Sequence, residues 1–240
     1  MKYKPLLLFI VVSFSIYSQK KITNQELFWG RVMLKYSGFN HWNFRQEIED
    51  RVFVTPFRHH HLLIRSHVSK KFDENWSTAL GFTYFIQSLP NNPYIKNYTN
   101  NIELRPQFEF VYTSRIKESN FYFQHRNWFE FRYFQQNDKT YKYENLRYRY
   151  LFELKYEISD KWKLKTCNEI FLNVGKNIVY NVFDHNRFGF GFDYKFNEKW
   201  RTELLYLNWF QQDSSGIDFY NRNIIRWTIF WLLKKKEENK

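Results

Sequence analysis

The sequence predicts an all-β protein: a single antiparallel up-and-down transmembrane β-barrel of about 10–12 strands. Two observations predict it. Within segments, large apolar and charged side chains take turns, as where Tyr148, Tyr150, Phe152, Leu154 and Tyr156 share one face and Arg147, Arg149, Glu153, Lys155 and Glu157 the other. Between segments, short polar turns alternate with longer connections. A strand that meets lipid on one side and a lumen on the other needs the first pattern, and an up-and-down barrel in an outer membrane shows the second.

Composition agrees. Aromatic residues make up 22% of the 240-residue chain and charged residues 25%. A helical membrane protein would gather its apolar residues into runs of 18 or more, whereas here they are interleaved with charge. The length suits one undivided all-β domain.

The one long apolar run stands first. Lys2 and Lys4 precede an apolar stretch at 6–16 and small residues up to Ser18. That order predicts a secretory signal peptide over 1–18. A short lead over 19–27, a barrel over 28–233 and a charged tail over 234–240 complete the expected organisation. Removing 1–18 takes away two of the 37 basic residues and none of the 24 acidic ones, leaving an excess of eleven positive charges. The bases are spread one or two per strand among acids, with no compact patch before 234–236, so nucleic acid is not an expected partner. Outer-membrane lipids and the outer-membrane assembly machinery are, and the basic excess points to a small anionic solute. Cys167 is the only cysteine, which excludes an internal disulfide.

Strands are expected in order at 28–37, 42–54, 58–71, 76–88, 101–115, 121–134, 146–158, 162–174, 184–196, 200–211 and 221–232. The segment 28–37 makes the count odd. Either a further strand near 20–27 completes twelve, or 28–37 lies off the wall. Three turns share one grammar: Lys71-Phe72-Asp73-Glu74-Asn75-Trp76, Glu157-Ile158-Ser159-Asp160-Lys161-Trp162 and Lys195-Phe196-Asn197-Glu198-Lys199-Trp200. An apolar residue ends a strand, a polar triplet turns, and Trp opens the next. Asp, Asn and Ser favour such turns by bonding nearby backbone. A looser copy runs from Ile116 to Phe121. Longer connections are expected at 88–100, 135–145, 175–183 and 212–220. With short turns toward the periplasm, Trp76, Trp162 and Trp200 form an aromatic belt at that interface.

With the apolar phase outward, the other phase fills the lumen with charge. The network includes Arg45, Glu47, Arg105, Glu109, Arg126, Glu130, Arg132, Arg147, Arg149, Glu153, Glu169 and Arg187. Acids and bases at two-residue spacing suit cross-strand pairing, and cations beside carboxylates hold them ionised, which suits salt bridges better than acid catalysis. The expected role is non-enzymatic: structure, binding of a small solute, or a narrow pore. The alternative is an acyl hydrolase acting on lipid through His67 and Ser69, in which His activates the Ser hydroxyl. A soluble exported barrel is the third reading. His59, His61 and His67 share a face in strict alternation, but no matched carboxylate spacing makes them a metal site, and no cofactor motif is present.

The ordered run Phe121-Tyr-Phe-Gln-His-Arg-Asn-Trp-Phe-Glu-Phe-Arg132, then Leu146-Arg-Tyr-Arg-Tyr150, Asn168-Glu-Ile-Phe-Leu-Asn173 and Asp184-His-Asn-Arg187, resembles an uncharacterised family of bacterial outer-membrane barrel proteins. The resemblance covers roughly 28–232. It implies the barrel fold and the outer membrane and brings no activity with it.

Overall fold

A computed structural model describes residues 20–38 and 41–234. Eleven strands close on themselves: β1 (Lys21–Ser37), β2 (Trp42–Phe53), β3 (Arg58–Lys71), β4 (Trp76–Leu89), β5 (Thr99–Arg115), β6 (Phe121–Gln135), β7 (Tyr141–Glu157), β8 (Trp162–Val174), β9 (Phe183–Lys195), β10 (Trp200–Gln212) and β11 (Asp218–Lys234). Each strand pairs antiparallel with its sequence neighbour. The exception is the seam, where β1 and β11 run parallel through an unbroken register from Lys21↔Asp218 to Ser37↔Lys234.

The seam resolves the odd count. Among the described residues there is no twelfth strand, and 28–37 does not leave the wall. Residues 21–27, expected as a lead, are the first half of one seventeen-residue strand. The segments 1–18 and 235–240, expected as signal peptide and most of the tail, lie outside the described residues.

The turn grammar has a visible cause. Asp73 Oδ1 accepts from the backbone N–H of Asn75 and of Trp76, both at 2.7 Å. Asn197 Oδ1 does the same for Lys199 and Trp200 at 2.9 and 3.0 Å, and Ser159 Oγ for Trp162 at 3.2 Å. The polar side chain thus caps the N–H of the residue that opens the next strand. All five even-numbered strands open on an outward aromatic at this turn end: Trp42, Trp76, Phe121, Trp162 and Trp200. Trp231 of β11 stacks flat on Trp200, ring centres 5.8 Å apart.

At the opposite end the connections are shorter than the sequence suggests. β5, β7 and β11 begin at Thr99, Tyr141 and Asp218, so strand pairing takes up residues expected as loop. Only 90–98 and 175–182 stand out as long.

Three bulges sit toward this loop end. Register shifts fall between Arg51 and Val52, Arg132 and Tyr133, and Phe171 and Leu172, and each leaves one extra residue on the partner strand: His60, Glu144 and Asp184. An extra residue breaks the alternation of faces locally. His60 and His61 are therefore both buried, and so are Asp184 and His185. His59 instead bonds Ser88 Oγ at 2.8 Å and lies 3.1 Å from the exposed Asp50. The strict alternation expected for His59, His61 and His67 is overturned by that bulge.

The outward face is aromatic and aliphatic, but not throughout. Asn168 bonds Asn186 (3.3 Å), Asn127 bonds Tyr148 (2.6 Å), Asn208 bonds Asn221 (2.8 Å), and Asn221 bonds Asn24 across the seam (3.0 Å). Pairing one polar side chain with another on the next strand satisfies groups that apolar neighbours would leave bare.

Candidate functional site: the charged lumen

Every other residue of each strand points inward, and there the acids and bases meet. Glu47 takes Arg65 at 2.7 Å and lies 3.9 Å from Arg31. Arg45 reaches Glu109 at 2.6 Å. Glu103 holds Arg105 (2.7 Å) and Arg132 (2.5 Å). Glu169 holds Arg126 and Arg149, both at 2.7 Å, while Arg149 also takes Glu130 at 2.8 Å. Glu153 joins Lys155 (2.6 Å) and Lys165 (2.8 Å), and Arg147 pairs with Asp184 at 2.9 Å. The structure thus brings together all the charged lumen residues named from the sequence except Arg187, which forms no ion pair among the described residues.

Several partners escaped sequence reasoning. Asp184 was hidden by the bulge that turns it inward. Arg31 was hidden by doubt over the first strand. Arg65 was legible, since it alternates with His67 on β3. Glu49, Glu203 and Arg51, inward by the alternation legible in the sequence, complete the waist, with Arg51 on Glu49 at 2.6 Å and Lys165 on Glu203 at 2.6 Å.

Two buried tryptophans organise the guanidinium groups. Trp128 on β6 has Arg149, Arg126 and Arg65 over its ring at 3.8, 4.5 and 4.9 Å. Each of those arginines also holds a carboxylate, and Trp128 Nε1 donates to Gln107 Oε1 at 3.1 Å. Trp209 on β10 has Arg222 and Arg187 at 4.3 and 4.7 Å. Neither has a carboxylate partner among the described residues, and Trp209 Nε1 is buried without a hydrogen bond. Arg222 is held by the side-chain oxygens of Gln25 (2.7 Å) and Gln211. Arg187 is held by rings alone: Phe171 at 4.5 Å, Trp209 at 4.7 Å and Trp29 at 5.1 Å. Trp29 Nε1 is likewise buried and unpaired. A buried donor left unsatisfied costs on the order of 1–3 kcal/mol.

A cavity of about 280 Å³ runs through this lumen, from Asn91 and Gln211 near the loop end to Lys35, Lys155 and Arg201 near the turn end. Arg201 and Gln211 are ten residues apart on β10, or roughly 25 Å of barrel height at usual strand rise and tilt. The cavity is therefore narrow. Its walls carry twelve arginines and three lysines against six glutamates and one aspartate.

A second cavity of about 220 Å³, toward the turn end, is lined by His67, Ser69, Arg45, Glu109 and Arg126 among others. Here the hydrolase reading finds no support. His67 Nε2 lies 2.9 Å from Glu109 Oε1 and 3.1 Å from Gln107 Nε2, and His67 Nδ1 has no partner. Ser69 Oγ lies 3.5 Å from the Asn43 carbonyl and makes no bond to His67. Without that bond nothing activates the hydroxyl. The ring of His67 instead lies over Gly81, where a Cβ would stand 2.3 Å from its Cδ2. Among the described residues no group of three or more His, Cys, Asp or Glu is arranged to hold a metal ion.

The family model described as "Protein of unknown function (DUF2490)" matches residues 26–221, from β1 into β11. The chain belongs to this family. In this DUF2490 protein the matched span takes in nine strands completely, β2 to β10, and most of the charged lumen. No curated protein matches the sequence. Two solved structures resemble the DUF2490 chain. A NanC porin in a rhombohedral crystal form is 12% identical, with 80% of this chain and 86% of that one covered and a TM-score of 0.49. A KdgM porin in complex with disordered oligogalacturonate is also 12% identical, with 75% and 82% covered and a TM-score of 0.44.

Proposed function

We propose that this chain is a non-enzymatic outer-membrane barrel whose narrow lumen admits small anions. The excess of cations along the passage carries the reading. Salt bridges neutralise most of the wall and fix its side chains, and the surplus guanidinium and ammonium groups give the remaining space a positive potential. A low-dielectric channel of one sign concentrates counter-ions of the other. Lys35, near the turn end, and Arg187, toward the loop end, are surplus charges of this kind.

The outward face supports the membrane assignment. Lipid meets the apolar phase, and the row Trp42, Trp76, Phe121, Trp162 and Trp200 sits at the periplasmic interface as an aromatic belt. Outer-membrane lipids and the assembly machinery are the constant partners, the latter meeting the final strand with its outward Trp227 and Trp231.

Conductance across a planar bilayer tests the proposal. In a potassium chloride gradient the protein is expected to give small steps with a reversal potential on the chloride side. Absence of steps, or cation selectivity, overturns it. Extraction from membranes without detergent would overturn the membrane assignment.

A further inference from the structure

We propose that the loop-end half of the lumen holds a binding site for a small organic carboxylate, built on Arg187 between Trp29 and Trp209. It rests on the anion-admitting lumen above and names the ligand class and the residues.

Arg187 on β9 differs from the other arginines around the passage in what it lacks. Its cross-strand neighbour Glu169 is taken by Arg126 and Arg149, and Glu49 is taken by Arg51. Its Nε is buried and unpaired, and its terminal nitrogens open on the cavity without a hydrogen bond among the described residues. A guanidinium is a planar fork of donors that matches the two oxygens of a carboxylate. Close by stand two more donors with no acceptor, the indole N–H groups of Trp29 and Trp209, whose rings meet edge to face with centres 5.7 Å apart. Indole nitrogen can only donate. His61, with ring centre 6.3 Å from that of Trp209, adds a third: its Nδ1 faces Arg51 at 3.4 Å, so its Nε2, which has no partner, carries the proton.

These groups lack an acceptor that carries negative charge. One open guanidinium and neutral N–H donors suit a monoanion, and the buried rings of Trp29, Trp209 and Phe171 give the wall around them an apolar character that suits a carbon skeleton. A carboxylate on a short carbon body meets both demands. A bare halide satisfies the first alone.

The probe is propionate, set against propionamide, which has the same skeleton without charge, and against chloride and inorganic phosphate at equal ionic strength. Binding to the detergent-solubilised full chain is followed by tryptophan fluorescence and by calorimetry. Propionate is expected to saturate and propionamide to give nothing. Arg187→Gln is expected to weaken binding tenfold or more, and Lys117→Gln, on an exposed turn outside the lumen, to leave it within twofold. Arg187→Lys, which keeps the charge and loses the fork, is expected to weaken it several-fold and serves if the Gln variant does not fold. Failure of propionate to saturate, equal binding of phosphate or chloride, or full affinity in both Arg187 variants overturns the site. Reversal potentials from the same preparation judge the lumen separately. Anion selectivity without saturable binding removes only this site, and saturable binding without conductance removes only conduction.

Discussion

Trp128 and Trp209 occupy equivalent settings and end in opposite states. Each is buried in the lumen wall with guanidinium groups over its ring. Around Trp128 the indole N–H and all three guanidinium charges are paired from within, although Arg126 Nε and Glu130 Oε2 make no bond: Gln107 accepts the indole N–H, and Glu47, Glu130 and Glu169 hold the three arginines. Around Trp209 the indole N–H, Arg187 and the neighbouring Trp29 are left open. A network whose charges are all paired rigidifies a barrel, whereas one of the same parts with a charge left unpaired is poised to take a ligand. The difference lies in where the carboxylates point. Glu169 stands directly across from Arg187 in register but turns toward Arg126 and Arg149.

The contrast can be broken from either side. Glu169→Gln removes the one carboxylate on Arg126 and one of the two on Arg149, and is expected to cost about 3–5 kcal/mol, read as a lowered urea midpoint of the refolded barrel. Gln107→Leu leaves the N–H of Trp128 as bare as that of Trp209. It should destabilise by about 1–3 kcal/mol in the same assay, without creating anion affinity, since the arginines there keep their carboxylates. Phe171→Leu removes the ring that Arg149 and Arg187 share. A loss of about 1 kcal/mol is expected, with weaker propionate binding, while Arg149 stays fixed by its two carboxylates. The smallest effect on stability belongs to Arg187→Gln, within about 0.5 kcal/mol of the parent, because no ion pair is lost. That variant should nevertheless show the largest fall in chloride over potassium permeability. A large loss of stability would mean that Arg187 is a packing element after all.

Much of the lumen was legible in the sequence, because period-2 alternation assigns a face to each residue wherever a strand is regular. Arg105, Glu130, Arg149 and Glu153 are found inward on that rule alone. It fails at the bulges. One inserted residue on β3, β7 or β9 resets the phase, so His60 and Asp184 turn inward and His59 does not. It also says nothing of pairing. Arg126 and Arg187 look alike in the sequence, and only one has a carboxylate within reach.

The sequence by itself determined the wall: strand phases, the Trp-opening turns and the aromatic row, because each follows from alternation or from a side chain capping a backbone N–H a few residues away. Tertiary structure decided the closure. Trp29 meets Trp209 only because β1 runs parallel to β11 and its side chain reaches across that strand, where Ile224 is fully buried. That contact joins residues 180 positions apart, and no local pattern encodes it. Which charges are neutralised and which stay open is likewise settled by the geometry of a closed lumen, where each carboxylate must choose among several arginines.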